Sequence, residues 1–520
     1  MIRTLLCAVV AAGFLAAQET PRLSVSGIVI STAGDPVRKA RVIFHAKEAD
    51  AFSYTADSDS NGRFAIRDVQ PGNYLVSAER SGFMPDNNGV EGAPPPSLKV
   101  EAGQSIKDLK IKLIPLAVVT GRVLDDDGDP IRGAHVEALA YGYQNGKKQL
   151  NSMHQTFAND KGEFRLFELH PGTVYLRASE NNNGSRYGPP DNPAMVPLTR
   201  TFFPSTTSAS LASPIDLAAG TQLSGFEIRL KREKHYSVRG KLLEVFKRQG
   251  GLQLRPRNGD REDYSLQETD ENFEFKDVPP GSYVIVGQVQ HEGKWTFVRQ
   301  PVDVGNGDVE NVALNLIPPF SVSGSLRVEG APPQPVEKAQ IIFYNNFSQA
   351  SSSVKPDGSF ALPQIEPDLY QIRIGYQPHA YVKSIRIGDA DASTGEIDLT
   401  KESAPLAIVL ATDMGEVEGS VKKSNGDPAG RVPVTLIASG SHAGRLDLSC
   451  YEFTDDQGKI HMKDVPPGEY KAFAWLDAPF GAAQDPDFRK PFEKRAVTVN
   501  VDPKGHTSVD LTAISVKPAQ

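Results

Sequence analysis

Two short polar runs in the chain have the spacing of metal ligands. The first, His45 and Glu48, fits the H-x-x-E spacing of a zinc-binding histidine and glutamate. A catalytic zinc needs three protein ligands on one scaffold, and the next histidine, His135, lies far along the chain. The run from Gly440 to Gly444 also lacks the order of a nucleophile elbow. We therefore predict no catalytic residue, no enzyme activity and no cofactor.

The second run places oxygen atoms at the intervals of a calcium-binding EF-hand loop. Asp57, Asp59, Asn61 and Asp68 occupy the alternating ligand positions, and Gly62 stands where that loop turns sharply. The flanking residues, however, alternate as strands rather than helices. A hairpin turn built on Asn61 and Gly62 is the alternative interpretation, because Asn-Gly favours tight two-residue loops.

Aromatic residues offer a different chemistry, the stacking of sugar rings. Phe473 and Trp475 are two residues apart on one predicted strand, in the phase opposite to its core-facing tyrosine, Tyr470. Exposed, they would form a flat apolar platform for a carbohydrate. The alternative is that the segment 477–495 covers them, since exposed aromatic pairs without a partner are uncommon.

A long insertion in the second quarter of the chain is the other candidate binding surface. It spans residues 181–215 and carries Tyr187, Phe202 and Phe203. Binding residues concentrate in loops held by a rigid scaffold, so these three aromatics are candidate ligand contacts. The alternative is a surface flap that packs on its own domain through Phe202 and Phe203.

These residues are positioned by a strand-and-turn pattern that occurs five times. Each copy has a strand containing a glycine, a turn, and a hairpin whose second strand runs into a proline. The prolines lie 100, 109, 87 and 100 residues apart, at Pro71, Pro171, Pro280, Pro367 and Pro467. A period near 100 residues is typical of self-contained domains rather than of a solenoid. Strict alternation on both sides of each turn predicts short strands and almost no helix.

The pattern predicts an all-β chain, a tandem array of five small Greek-key (Ig-like or transthyretin-like) β-sandwiches. Short joints predict a semi-rigid arrangement. The expected domains follow a signal peptide at 1–20 and are residues 21–115, 116–232 (with the insertion 181–215), 233–317, 318–411 and 412–520.

The motif G-x-V, then G-D-P, then D-x-x-G-x-F-x-I-x-x-V-x-P-G-x-Y resembles the carboxypeptidase regulatory-like domain. That domain is a transthyretin-like sandwich related in shape to collagen-binding B-type repeats and starch-binding-like folds. The match is clearest in copies one, two and five. The resemblance implies sandwiches that are non-catalytic in their own right, and the five copies leave no room for a peptidase domain.

The amino terminus predicts export. Arg3 precedes the apolar run Leu5–Ala12 and a small-residue zone at residues 15–17, which is the pattern of a secretory signal peptide. Gln18 ends the run before the about 20 apolar residues that a membrane anchor needs. We expect a periplasmic, extracellular or cell-surface protein that does not span the membrane.

Composition narrows the partners further. The chain carries 56 basic and 64 acidic residues, a net charge of −8, and no basic stripe that could follow phosphates. Nucleic acid is therefore not an expected partner. After cleavage of the signal peptide only Cys450 remains, so each domain depends on its own hydrophobic core rather than on disulfides.

Two functions fit this sequence. One is an exported binding protein whose repeats recognise carbohydrate or another cell-surface polymer or protein. The other is a structural or adhesive spacer. Binding predicts an exposed aromatic platform in a shallow groove, whereas a spacer predicts polar sheet faces and sizeable contacts between domains. The exposure of Trp475 discriminates between them.

Overall fold

The computed structural model describes residues 23–47, 52–86, 92–144, 146–180, 198–241, 251–257, 266–268, 272–291, 294–329, 339–345, 348–375, 379–393, 396–401 and 404–516. Glu48, Tyr187 and the predicted signal peptide lie outside these residues. In the described residues the chain is almost entirely β, as predicted.

The first sandwich consists of two four-stranded sheets. Their orders are β4-β1-β8-β6 and β3-β2-β5-β7, and only the β1–β8 pair is parallel. The strands are β1 (Leu23–Ser31), β2 (Arg41–Ala46), β3 (Ser53–Asp57), β4 (Arg63–Val69), β5 (Gly72–Glu79), β6 (Phe83–Pro85), β7 (Ser97–Val100) and β8 (Ile106–Pro115).

The second sandwich repeats this topology with a different edge. Its strands are β9 (Ala117–Leu124), β10 (His135–Gln144), β11 (Lys147–Phe157), β12 (Glu163–Leu169), β13 (Gly172–Ser179), β14 (Leu198–Thr199), β15 (Thr201–Phe202), β16 (Ile215–Leu217), β17 (Gln222–Arg229) and β18 (Lys231–Arg232). The sheet β12-β9-β17 faces β11-β10-β13, on whose edge β15 and β16 pair.

The third and fourth sandwiches follow the same plan. The third comprises β19 (Tyr236–Lys241), β20 (Gly251–Pro256), β21 (Leu266–Glu268), β22 (Asn272–Val278), β23 (Gly281–His291), β24 (Lys294–Val304), β25 (Val309–Val312) and β26 (Leu316–Ile317). The fourth comprises β27 (Phe320–Glu329), β28 (Gln340–Tyr344), β29 (Gln349–Ser353), β30 (Ser359–Ile365), β31 (Asp368–Gly375), β32 (Tyr381–Ile387), β33 (Ala390–Asp391), β34 (Ile397–Leu399) and β35 (Leu406–Ala411).

The fifth sandwich adds a short helical segment. Its sheets are β39-β36-β42 and β38-β37-β40-β41. The strands are β36 (Gly415–Lys422), β37 (Pro433–Ala438), β38 (Cys450–Phe453), β39 (Lys459–Val465), β40 (Gly468–Ala474), β41 (Val497–Val501) and β42 (His506–Thr512). Between β40 and β41 lie the helix α1 (Pro486–Arg489) and the 3-10 turns Ala482–Gln484 and Lys490–Arg495.

Each sandwich has its own hydrophobic cluster between its two sheets. The repeated pair of hydrophobic residues after each hairpin turn fills it, as Phe64 with Ile66 and Ile460 with Met462 show. By contact density the chain forms two compact units, residues 1–86 with 95–115, and residues 87–94 with 116–520. The boundaries predicted inside the second unit remain predictions. In the described ranges no helix is long and apolar enough to cross a bilayer.

The glycine of the G-x-V motif is explained by a close approach of two backbones. In each sandwich it lies where the first strand pairs in parallel with a strand near the end of the domain, namely β8, β17, β25, β35 or β42. A Cβ atom would stand 2.0 Å from the Leu109 carbonyl oxygen if added to Gly27, and 1.7 Å from that of Val509 if added to Gly419. Real Cβ atoms do not approach that closely, so only glycine fits. The five equivalent positions are Gly27, Gly121, Gly240, Gly324 and Gly419.

Candidate functional site

The predicted aromatic platform is buried, and it forms a second hydrophobic core in the fifth sandwich. Phe473 and Trp475 do lie on the outer face of their sheet, but each is only 1% exposed. Their rings stack at 5.3 Å with an interplanar angle of 13°. The prediction of an exposed platform is therefore wrong for this pair, and no sugar ring can reach either face.

The covering segment is the one between β40 and β41. Phe488 and Phe492 each lie 5.5 Å from the Trp475 ring, and the Trp475 indole donates a hydrogen bond to Thr435 Oγ1 at 3.0 Å. Lys471, the polar member of the same outward phase, pairs with Glu493 of the segment. Burying this much aromatic area outweighs the entropy lost by ordering the segment, which is why the sheet face is not left open.

The insertion residues pack on their own sandwich. Phe202 is 6% exposed on β15, with the Arg177 guanidinium 5.7 Å from its ring centroid. Phe203 packs edge to face on Phe226, with the ring centroids 5.2 Å apart, and contacts the hydrophobic core of the second sandwich. These two residues pack on their own sandwich, as the alternative of a surface flap predicted, and their role as ligand contacts stays a prediction. Tyr187 lies outside the described residues and stays a prediction.

The spacing that suggested calcium belongs to a hairpin turn. The Asp59 carboxylate accepts hydrogen bonds from the backbone N–H groups of Asn61 and Arg63, both at 2.8 Å. Asp57 is exposed beside Arg41, and Asp68 has a φ of 60° at a β-bulge in β4. Aspartate tolerates this left-handed conformation better than most residues. Turn closure and the bulge therefore explain these residues without an ion.

His45 lies on the exposed face of β2. Its Nδ1 lies 3.0 Å from Ser53 Oγ on the neighbouring strand. Glu48, the other residue of the H-x-x-E spacing, lies outside the described residues.

A groove beside Phe157 is a candidate surface that the sequence analysis did not identify. It has a volume of about 720 Å³, is open to solvent and runs along β9, β12 and β17 of the second sandwich. Phe157 is 53% exposed at its side, and Arg122 pairs with Glu163 at 2.9 Å within it. Hydrogen bonds from Asn159 and Arg122 lower the pKa of the Glu163 carboxyl. The groove thus combines an exposed aromatic face with fixed charged and amide groups.

Between sandwiches of the second unit lie buried polar contacts. Arg299 of β24 donates to Glu366 at 2.9 Å and to Asp368 at 2.8 Å, and both acceptors belong to the turn that opens β31. The Glu366 side chain is 8% exposed and that of Arg299 22%. Burial raises the pKa of the Glu366 carboxyl above its usual value, although the neighbouring Arg299 acts to lower it.

Asp368 explains a departure from the repeated motif. Four copies have glycine after the closing proline, whereas the fourth has Asp368. Its carboxylate accepts from Arg299 and, at 2.6 Å, from the Asn345 amide. At this position the fourth copy has a side chain instead of glycine, and that side chain holds the neighbouring sandwich through Arg299.

Two further arginines make polar contacts, Arg232 within the second sandwich and Arg445 between the fourth and the fifth. Arg232, at the end of the second sandwich, pairs with Asp125 at 3.1 Å and with Asp126 at 2.7 Å. This pairing holds the end of the second sandwich to the turn after β9, in which Asp126, Asp127 and Asp129 are exposed. Arg445 of the fifth sandwich is 3% exposed and donates to the Val382 carbonyl of the fourth at 2.6 Å.

The sequence comparisons identify a domain family in the first part of the chain. The profile of the carboxypeptidase regulatory-like domain matches residues 24–113 and 118–189. No curated protein matches the chain in sequence.

Several solved structures are similar at low scores. A streptococcal ancillary pilin is 12% identical, with a TM-score of 0.21, over 57% of this chain and 99% of its own. A shaft pilin of Lactobacillus rhamnosus GG is 10% identical, with a TM-score of 0.23, over 41% and 98%. The major pilin subunit of Bacillus cereus is 10% identical, with a TM-score of 0.16, over 95% and 99%. Such scores support no inference about function.

The family match falls on the first two sandwiches, whose motifs are among the clearest in the sequence. Residues 24–113 and 118–189 thus each match the carboxypeptidase regulatory-like domain, within an all-β chain of repeated sandwiches.

Proposed function

We propose that this protein is an exported, non-catalytic structural spacer of the cell surface or cell envelope. Its tandem sandwiches hold other surface components apart or together. The observation that carries the proposal is the buried ion cluster of Arg299, Glu366 and Asp368 between two successive sandwiches. The burial of Trp475 supports it, because the binding alternative needed that residue exposed.

A buried ion cluster between two domains restricts their relative movement and leaves no charged group free to bind a ligand there. Removing one partner of a buried ion pair leaves an uncompensated charge and costs about 3 kcal/mol or more. A joint that separates must expose and rehydrate all three side chains, so the two sandwiches stay in one orientation. The proposal of export is based on the signal-peptide pattern of residues 1–20. The proposal of a non-catalytic role is based on the resemblance to the carboxypeptidase regulatory-like domain, which is non-catalytic in its own right.

The rigidity of this joint can be measured with spin labels. Cysteines placed at Asp303 and Ser351, both exposed, report the distance between the third and fourth sandwiches in a Cys450→Ser background. We expect a narrow distance distribution that broadens in Arg299→Ala. Arg327→Ala is the matched control, because Arg327 forms an exposed pair with Glu329 at 3.0 Å. A broad distribution in the unchanged protein would contradict the spacer.

Carbohydrate binding is a second candidate, favoured by the groove beside Phe157. An exposed aromatic ring next to charged and amide side chains suits a sugar, which offers an apolar ring face and hydroxyl groups. We propose this groove, rather than the buried Phe473 and Trp475, as the carbohydrate surface.

A glycan array on the mature protein tests this candidate. We expect any bound glycan to be lost, with affinity reduced about tenfold or more, in Phe157→Ala, since burying a Phe side chain contributes roughly 1.5–3 kcal/mol. Phe167→Ala is the matched control, because Phe167 is 41% exposed on the same sandwich but does not line the groove. Equal loss in both variants, or no glycan signal from the unchanged protein, rejects the groove.

A further inference from the structure

Four side chains from three adjacent strands meet on the outer face of the fifth sandwich. Glu416 and Glu418 lie on the central strand β36, His461 on β39 and His506 on β42. The strand register sets Glu418 opposite His461 and Glu416 opposite His506. A β-bulge in β39 lies opposite Glu416, where Lys463 and Asp464 stand against that one residue of β36, and it bends β39 there. Bulges are known to redirect side chains in this way.

The distances within the cluster are those of a metal coordination shell. His461 Nε2 lies 3.0 Å from Glu416 Oε2 and 3.5 Å from Glu418 Oε1, and His506 Nδ1 lies 3.5 Å from Glu416 Oε2. Zinc bonds to nitrogen and oxygen are about 2.0–2.2 Å long, so two ligands of a tetrahedral zinc stand about 3.3 Å apart. One ligand atom each from Glu416, Glu418 and His461 lies within 4.8 Å of the others.

In the third sandwich the equivalent position on the sheet is occupied by a positively charged side chain. There Arg239, on the strand equivalent to β36, pairs with Glu274 at 2.7 Å, Asp308 at 2.8 Å and Glu310 at 2.6 Å. The central positive charge satisfies carboxylates from both neighbouring strands.

The fifth sandwich reverses this arrangement of charge. Its central strand contributes two carboxylates, and the neighbouring strands contribute imidazoles. Within the described part of the chain, the recorded ion pairs of Glu416 and Glu418 are with histidines rather than lysine or arginine.

We propose that Glu416, Glu418, His461 and His506 form a binding site for a divalent transition metal ion, with zinc as the best fit. Imidazole nitrogen together with carboxylate oxygen suits zinc, whereas calcium and magnesium take oxygen ligands almost exclusively. One ligand atom each from Glu416, Glu418 and His461 fills three positions of a tetrahedral shell, and His506 lies beside it, 3.5 Å from Glu416. The metal ties β39 to the central strand β36.

Zinc titration by calorimetry, on the mature protein without a histidine tag, tests the site. We expect one zinc ion per chain at this site and a weakening of about tenfold or more in His461→Gln, since even indirect partners of a metal contribute that much. X-ray absorption at the zinc edge should show nitrogen and oxygen neighbours at about 2.0–2.2 Å and no sulfur.

His379→Gln is the matched control. His379 is also an exposed imidazole, paired with a single carboxylate, Asp464, at 2.8 Å. The control should bind zinc as the unchanged protein does, and all variants should melt at the same temperature without metal. Absence of zinc binding in the unchanged protein, or undiminished binding in the His461→Gln, His506→Gln double variant, overturns the proposal.

Discussion

Tyr470 is fully buried, yet its hydroxyl has a partner, because it donates a 2.7 Å hydrogen bond to the carbonyl of Pro466, four residues earlier. The same tyrosine corner occurs at 2.8 Å in three other sandwiches, at Tyr74, Tyr283 and Tyr370. It ties the strand after each proline turn to the turn itself. The second sandwich has the buried Val174 at this position, and Tyr175 faces outward against Tyr141 at 5.4 Å. The spacing of proline and tyrosine is thus a packing signature, not a binding one.

The corner gives a prediction at the residue scale. Tyr470→Phe should lower the unfolding free energy of the fifth sandwich by about 1–2 kcal/mol, because a buried carbonyl loses its donor. Tyr175→Phe, on the outer face of the second sandwich, should have no comparable effect. Denaturant unfolding followed by Trp475 fluorescence in a Trp295→Phe background reports the fifth sandwich alone. An unchanged midpoint in Tyr470→Phe would show that the hydrogen bond is dispensable.

The strand β40 and the segment after it show how the shared fold accommodates an additional layer in the fifth sandwich. The strand β40 alternates inward Tyr470 and Ala472 with outward Lys471 and Phe473, as its counterparts in the other copies do. In the fifth sandwich the outward aromatics recruit the segment that contains α1, so one sheet is buried on both faces. The segment has few hydrogen bonds to a sheet, and its order depends on this second core.

That dependence gives a prediction at the element scale. Trp475→Ala should cost about 3–5 kcal/mol of local stability, because it removes the largest side chain of the second core and leaves a cavity. Hydrogen exchange in residues 477–495 should then rise sharply while β36 and β39 remain protected. Phe480→Ala is the control, since Phe480 is 49% exposed in the same segment. Exchange that rises equally in both variants would mean that Trp475 does not anchor the segment.

At the scale of the molecule, the sandwiches of the second unit are not independent beads. Tyr143, near the tip of the β10–β11 hairpin, packs on Phe488 of the fifth sandwich at 5.6 Å. Tyr381 of the fourth sandwich contacts the fifth core and donates to Asp413 at 3.1 Å. With the Arg299 and Arg445 contacts, these joints make residues 116–520 a connected body, consistent with its compactness. The first unit, with its own core, is a separate body by the same criterion.

The sequence by itself determined the class of fold and the repeated plan. Alternating core residues such as Phe64 and Ile66, the Asn61–Gly62 turn and the glycine of each first strand are local signals, and local backbone chemistry decides strands and turns. The same signals predicted the family matched at residues 24–113 and 118–189.

Only the tertiary structure decided which surfaces are open and which side chains meet. Outward alternation placed Phe473 and Trp475 correctly on their face but could not show that residues 477–495 cover them. Glu416, His461 and His506 come together from strands separated by tens of residues, and Arg299 meets Glu366 across two sandwiches. Burial and convergence depend on packing between distant elements, which the pattern of neighbours along the chain does not encode.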